Sequence, residues 1–370
     1  MNSMFGSIKK WGWWLGLFLF HELVMGLSPV IPFLRPSVTT LQRTERYYPH
    51  AVLWIQYDAL LYLHIAHHGY GSAISAFYPL LPILIAVLHS TWIAFLVMQG
   101  VFAVDLWLLA LWLGDTLGLK DRQVIMALAL FAFNPAAVFY TTLYPEALLV
   151  LFWLLSLRAA SRKSYGAAAV FAGFGALAYP TGALFGIIPL WLFAASVIHK
   201  QFDHAREYFL WGLGIAVSLG LFMLFSLFQW HTPWGPWMGE AAWHSRWIWP
   251  WQQYTRIFPI HKPLKRTYLV FLLVVLSVPF LVGALSLVRL SFPMKWPIIL
   301  FTGSALIVSL AFYVYNTPFH STLRIMSIAF PVYGGLGAIR QRRLFQLILI
   351  LWMGSSFVGA VFFTHQLWWQ

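Results

Sequence analysis

Ten Asp and Glu stand among 370 residues, against 23 Lys and Arg, so the candidates for acid–base chemistry can be weighed one at a time. Asp58 lies in WIQYDALLYLHIAHHGYG. The pattern from Asp58 to His68 predicts a helix that Gly69 stops; at about 100° per residue, Asp58, Leu61, Tyr62 and Ile65 share one face. A carboxylate at such a helix start either caps it or serves as a general base at the level of lipid headgroups. His64 and His68 share another edge with the i, i+4 spacing of a two-His metal site, but no Glu follows His64 as it does in zinc proteases. The alternative is a pair of polar groups for substrate or lipid headgroups. Glu146 follows Pro145 in NPAAVFYTTLYPEALLVLF. There either the helix dipole explains an acid or a substrate does. Glu240, in HTPWGPWMGEAAWHSRW, is either a surface acid beside Arg246 or a substrate ligand. Glu45, between Arg43 and Arg46, reads as local pairing. Glu22 and Asp105 fall inside apolar runs, where an acid either serves function or is neutralised within the bundle. Asp115, Asp121, Asp203 and Glu207 read as turn charges.

Among the cations, Arg324 stands alone in FHSTLRIMSIAFP. A lone Arg at the end of an apolar run either grips a phosphate with two parallel hydrogen bonds or snorkels to lipid headgroups. Lys262, Lys265 and Arg266 suit bulk anionic lipid.

The elements that must hold these residues are apolar. Hydrophobic residues make up 61% of the chain and charged ones 9%, where a soluble domain is about a quarter charged. A soluble enzyme, a disordered chain and a nucleic-acid module are excluded on this balance. There is no Cys, hence no disulfide framework, thiol chemistry or Cys-based zinc site. About eleven apolar runs approach spanning length: 11–34, 91–114, 123–142, 146–160, 165–179, 181–198, 207–229, 268–290, 296–315, 325–339 and 344–363. The expected fold is an all-α polytopic membrane protein, one integral domain over 1–370, whose first run is an uncleaved span. With the N-terminus in the cytoplasm, 14 of the 23 Lys and Arg fall in cytoplasmic segments, as the positive-inside rule requires. The long segments 35–90 and 230–267 then lie outside. Residues 76–89, with Pro79 and Pro82, are too short to span and read as an interfacial helix. Six Trp between 234 and 251 suit the outer leaflet.

Tyr57-Asp58-Ala59, Tyr62, Ile65-Ala66, Gly69-Tyr70 and Ala76-Phe77-Tyr78-Pro79-Leu80 resemble the first external loop of the PIG-V family. These are the GPI mannosyltransferase II-like proteins and their bacterial relatives, in the GT-C class of membrane glycosyltransferases. Asn134-Pro135-Ala136, Tyr144-Pro145-Glu146-Ala147-Leu148, Pro180-Thr181-Gly182, and Arg324 with Phe330-Pro331 resemble later motifs, in order. Tyr179 replaces the family's Arg before Pro-Thr-Gly; Pro145 and Ala147 replace its hydroxyl residues; Leu323 and Ile325 flank Arg324 where Pro and Tyr are usual. The resemblance implies a GT-C bundle in the plasma membrane with its active site outside. It implies inverting transfer of a hexose, mannose being the first expectation, from a polyprenyl-phosphate-sugar donor to a lipid-linked or glycan acceptor. Asp58 would be the base, and Arg324, with Arg256 and Lys262 behind it, would meet the leaving phosphate. Glu146 and Glu240 would orient sugar hydroxyls or assist Asp58, with Tyr62, His64 and His68 as further substrate contacts. No cofactor, resident metal or nucleic acid is expected. The competing reading is a polytopic transporter or lipid-carrier flippase, whose charged groups would sit at the membrane midplane.

Overall fold

The computed structural model describes residues 12–30, 53–71, 74–242, 244–256, 270–271, 277–313 and 321–365. Glu45, Arg35, Arg43, Arg46, Trp243, Lys262, Lys265 and Arg266 lie outside the described residues.

The described chain is overwhelmingly helical. In order it forms α1 (Trp13–Gly26), α2 (Asp58–His68), α3 (Leu80–Leu88), α4 (Thr91–Leu111), α5 (Asp121–Ala132), α6 (Glu146–Ser161), α7 (Tyr165–Ala178), α8 (Ile187–Ile198) and α9 (Phe202–Trp230). The second half forms α10 (Gly235–Ala242), α11 (Pro250–Thr255), α12 (Val278–Leu287), α13 (Lys295–Ala311), α14 (Thr322–Ser327), α15 (Pro331–Gly337) and α16 (Arg342–Thr364). A two-residue antiparallel pairing joins β1 (Arg246–Trp247) to β2 (Phe312–Tyr313).

Among the described residues, five helical stretches are long and apolar enough to cross a membrane: Trp13–Val30, Thr91–Thr116, Pro180–Ile198, Phe202–Trp230 and Arg342–Thr364. Their outward faces are apolar: Phe228 on α9 is 76% exposed and Ile350 on α16 is 68% exposed. Such faces suit lipid, whereas water would penalise them.

Several runs are broken by the residues that shape the site. The run 123–142 stops at Ala132 because Asn134 turns the chain: its Nδ2 donates to Phe131 O at 2.7 Å, and Ala136 N donates to its Oδ1 at 2.8 Å. The run 325–339 is two short buried helices, α14 and α15, split before Pro331. Residues 180–186 are a 3₁₀ turn that leads into α8. The segment 76–89 contains α3, whose nine residues span only about 14 Å.

The core is a continuous cluster of aromatic and aliphatic side chains. Phe131 meets Tyr140 and Tyr333 edge-on at 5.2 and 5.1 Å, joining α5 to the 3₁₀ turn Ala137–Tyr140 and to α15. Trp153 of α6 stacks on Phe185 at 5.6 Å. Pairs of this kind contribute about 0.5–1.5 kcal/mol each beyond area burial. Helices α7 and α9 approach so closely that a Cβ at Gly214 would overlap the Ala169 backbone. Small residues at such crossings let backbones meet where lipid supplies no hydrophobic drive.

Candidate active site

Asp58 begins α2, as the sequence pattern implies, but its carboxylate does not cap the helix. It accepts a hydrogen bond from Arg324 Nη1 at 2.7 Å. The backbone just before it is strained: Tyr57 has φ 53° and ψ −119°, outside the regions favoured by residues with a side chain. That turn places the Asp58 N–H 3.1 Å from Tyr144 Oη, and the Tyr144 hydroxyl donates to Gln56 O at 3.3 Å. The start of α2 is thereby tied to the chain leading into α6.

Glu146 is the first residue of α6 and is fully buried. Its Oε1 accepts a hydrogen bond from Arg324 Nε, and its Oε2 has no partner among the described residues. One guanidinium therefore bridges two carboxylates that are 88 residues apart in sequence. Arg324 itself is 5% exposed and Asp58 26% exposed, so the trio is open to a ligand only on the Asp58 side.

Three rings surround the guanidinium. The Arg324 Cζ lies 4.7 Å from the Tyr144 ring centroid, 5.1 Å from Tyr179 and 5.2 Å from Phe139. Each contact is a cation–π attraction, strongest where water is excluded. Tyr179, the residue just before Pro180-Thr181-Gly182, supplies one aromatic wall for this cation. Below, α14 is fixed by a hydroxyl chain: Ser327 Oγ donates to Arg324 O at 2.8 Å and meets Tyr140 Oη at 3.2 Å, while Tyr333 Oη donates to Ser327 O at 3.0 Å.

Beside this trio lies a cavity of about 300 Å³. Tyr179, just before the 3₁₀ turn, and Thr181 within it line the cavity, with Glu240 and Trp237 from α10, Arg246 from β1, and Ile325 from α14. Tyr179 belongs to both places, lining the cavity and facing the guanidinium. Burial pushes the Glu240 carboxyl above its ordinary range, and the negative charge of Asp58 adds to the effect. The same wall carries Tyr78, whose hydroxyl burial pushes up to about 12. Burial likewise raises the hydroxyl of Tyr62, one turn after Asp58, against the pull of the Arg324 charge. Tyr62 is fully enclosed and meets Phe77 edge-on at 5.0 Å.

The geometry thus gathers Asp58, Glu146 and Arg324, with Tyr62 beside them and Glu240 on the adjoining cavity. It leaves His64 and His68 on the exposed side of α2, their rings 4.9 Å apart. No group of three or more His, Asp or Glu able to hold a metal is found among the described residues. Arg256 follows α11 and is not part of the cavity wall; Lys262 is outside the described residues. Sequence reading did not single out Phe139 or Tyr144 as ring partners of Arg324. The signal available was the TTLYPE segment itself, which places an aromatic two residues before Glu146. Asp105 in α4 is fully buried, and neither carboxylate oxygen has a partner among the described residues. Comparison with protein-family models and with curated proteins finds no match, so the functional reading rests on this geometry and on the sequence motifs.

Proposed function

We propose that the chain is a membrane glycosyltransferase of the PIG-V-like, GT-C type. It moves a hexose, mannose first among the candidates, from a polyprenyl-phosphate donor to a lipid-linked or glycan hydroxyl at the external face. The observation that carries this reading is the Arg324 guanidinium shared by Asp58 and Glu146 next to an amphipathic cavity. A base, a cation for a phosphate and a second carboxylate are brought together from three distant segments.

Asp58 takes the proton of the acceptor hydroxyl as that oxygen bonds to the anomeric carbon. The bond from that carbon to the phosphate oxygen breaks on the opposite side, leaving its electron pair on the phosphate, and configuration inverts. Arg324 stabilises the charge growing there. In the resting site its Nε donates to Glu146 and its Nη1 to Asp58, so a phosphate arriving at Nη1 competes with Asp58 and loosens it. Glu146 and Glu240 orient sugar hydroxyls. The cavity bounded by Trp237 and Trp247 receives the lipid-linked substrate, and α2 and α3 lie at the outer interface of a bundle of about eleven spans.

Transfer of labelled mannose from a polyprenyl-phosphate donor in membranes tests this. Asp58→Asn is expected to lower the rate by roughly 10²–10⁴, the range for losing a general base; an unchanged rate removes Asp58 from the mechanism. The transporter reading draws on Asp105, a buried acid within a spanning helix. Failure with every polyprenyl-phosphate sugar, together with Asp105-dependent movement of lipid carrier across vesicles, would favour it.

A further inference from the structure

A second cavity, of about 150 Å³, lies between α4 and α6 at the end remote from Glu146. Arg158 is 12 residues beyond Glu146 on α6, which places it about 18 Å farther along the helix. The cavity is therefore a separate feature near the opposite boundary of the bundle.

Its lining changes character along the helices. Leu154 lies one turn before Arg158 on α6, with Leu108 also in the apolar part, and Arg162 follows one turn beyond Arg158. Asp115 is also in the wall, leaving the lining one positive charge in excess. No carboxylate among the described residues lies within ion-pair distance of either Arg. Like charges one turn apart repel, and Arg158 is half-buried, so the pair has an uncompensated charge where water is reduced. At the same place α4 widens into a π turn, Trp112–Thr116, a distortion frequent at functional sites. Trp112 is 7% exposed, lines the cavity, and its Nε1–H has no acceptor among the described residues.

We propose that this cavity binds the phosphate of an anionic phospholipid. The two guanidiniums and the Trp112 N–H take the phosphate oxygens, and the leucine wall takes the first carbons of an acyl chain. A free anion would satisfy the charges and leave the apolar side uncovered, whereas an amphiphile matches both. The site is independent of the proposed transfer chemistry.

The test uses the full chain in nanodiscs of phosphatidylcholine, with and without phosphatidylglycerol, and reads the unfolding temperature. Phosphatidylglycerol is expected to raise it for the wild type. The rise is expected to vanish in Arg158→Gln/Arg162→Gln and to persist in Arg340→Gln/Arg343→Gln, which removes two exposed cations elsewhere. Equal loss in both variants would mean bulk surface charge and overturn the site, as would retention in the first. An equal rise from inorganic phosphate in pure phosphatidylcholine would replace the lipid by a soluble anion. Should the double variant fail to fold, Arg162→Gln alone, at an exposed position, is read in the same way.

Discussion

Arg324 is the residue on which the site turns. Its side chain is enclosed by three rings and shared by two carboxylates. Arg324→Met would leave Glu146 buried without its cation, and breaking a buried pair in this way costs about 3–5 kcal/mol. Thermal unfolding in detergent is expected to show that loss, and Glu146→Gln/Arg324→Met to recover much of it. Glu240 gives a pH signature of opposite origin. Burial holds its folded pKa above that of the unfolded chain, so the folded state binds more protons across the interval between the two. Stability is then greatest below the ordinary glutamate range and falls as pH rises through the folded value. Glu240→Gln is expected to flatten that fall in unfolding measured across the pH range. At this scale much of the site was legible: Asp58, Glu146 and Arg324 each stood out by type and isolation. Their mutual contact was not, because no local spacing relates residues 88 and 178 positions apart. The alternatives left open for Asp58 and Arg324 are narrowed by geometry, since the carboxylate points to a guanidinium instead of its own helix end.

Helices carry these residues to one place by ending where they do. Gly69 stops α2 at φ 78° and ψ −175°, a region essentially reserved for glycine, and Asn134 stops α5, so the chain from 134 to 145 can turn and deliver Tyr144 and Glu146. Hydropathy located the apolar runs and missed these interruptions, because Asn134 or Pro331 changes the mean of a window very little while ending a helix outright. Close contact between elements is equally invisible to hydropathy. Gly214→Val would force a side chain into the backbone of Ala169, separating α7 from α9. An overpacked crossing costs about 1–3 kcal/mol; a lowered unfolding temperature for this variant, with Gly220→Ala nearly silent, would check it, because a Cβ at 220 meets open space.

For the molecule as a whole, the absence of Cys makes single introduced thiols clean reporters of sidedness. His244→Cys, at an exposed position near the cavity rim, is expected to react with an impermeant reagent in intact cells. Lys163→Cys, beyond the end of α6, is expected to react only after permeabilisation; the reverse pattern would invert the orientation drawn from the basic turns. The longest helix adds a mechanical consequence. Helix α9 has 29 residues, about 43 Å of length against a hydrocarbon layer of about 30 Å. Its end is fastened to the site: Gly235 N donates to Ser226 Oγ at 3.0 Å, and Ser75 Oγ donates to Gly235 O at 2.6 Å. A thinner bilayer must tilt a helix of this length or expose its ends, and either response pulls on the cavity rim through Gly235. For the transfer activity proposed above, the expected outcome is a rate that varies with the acyl-chain length of the host lipid.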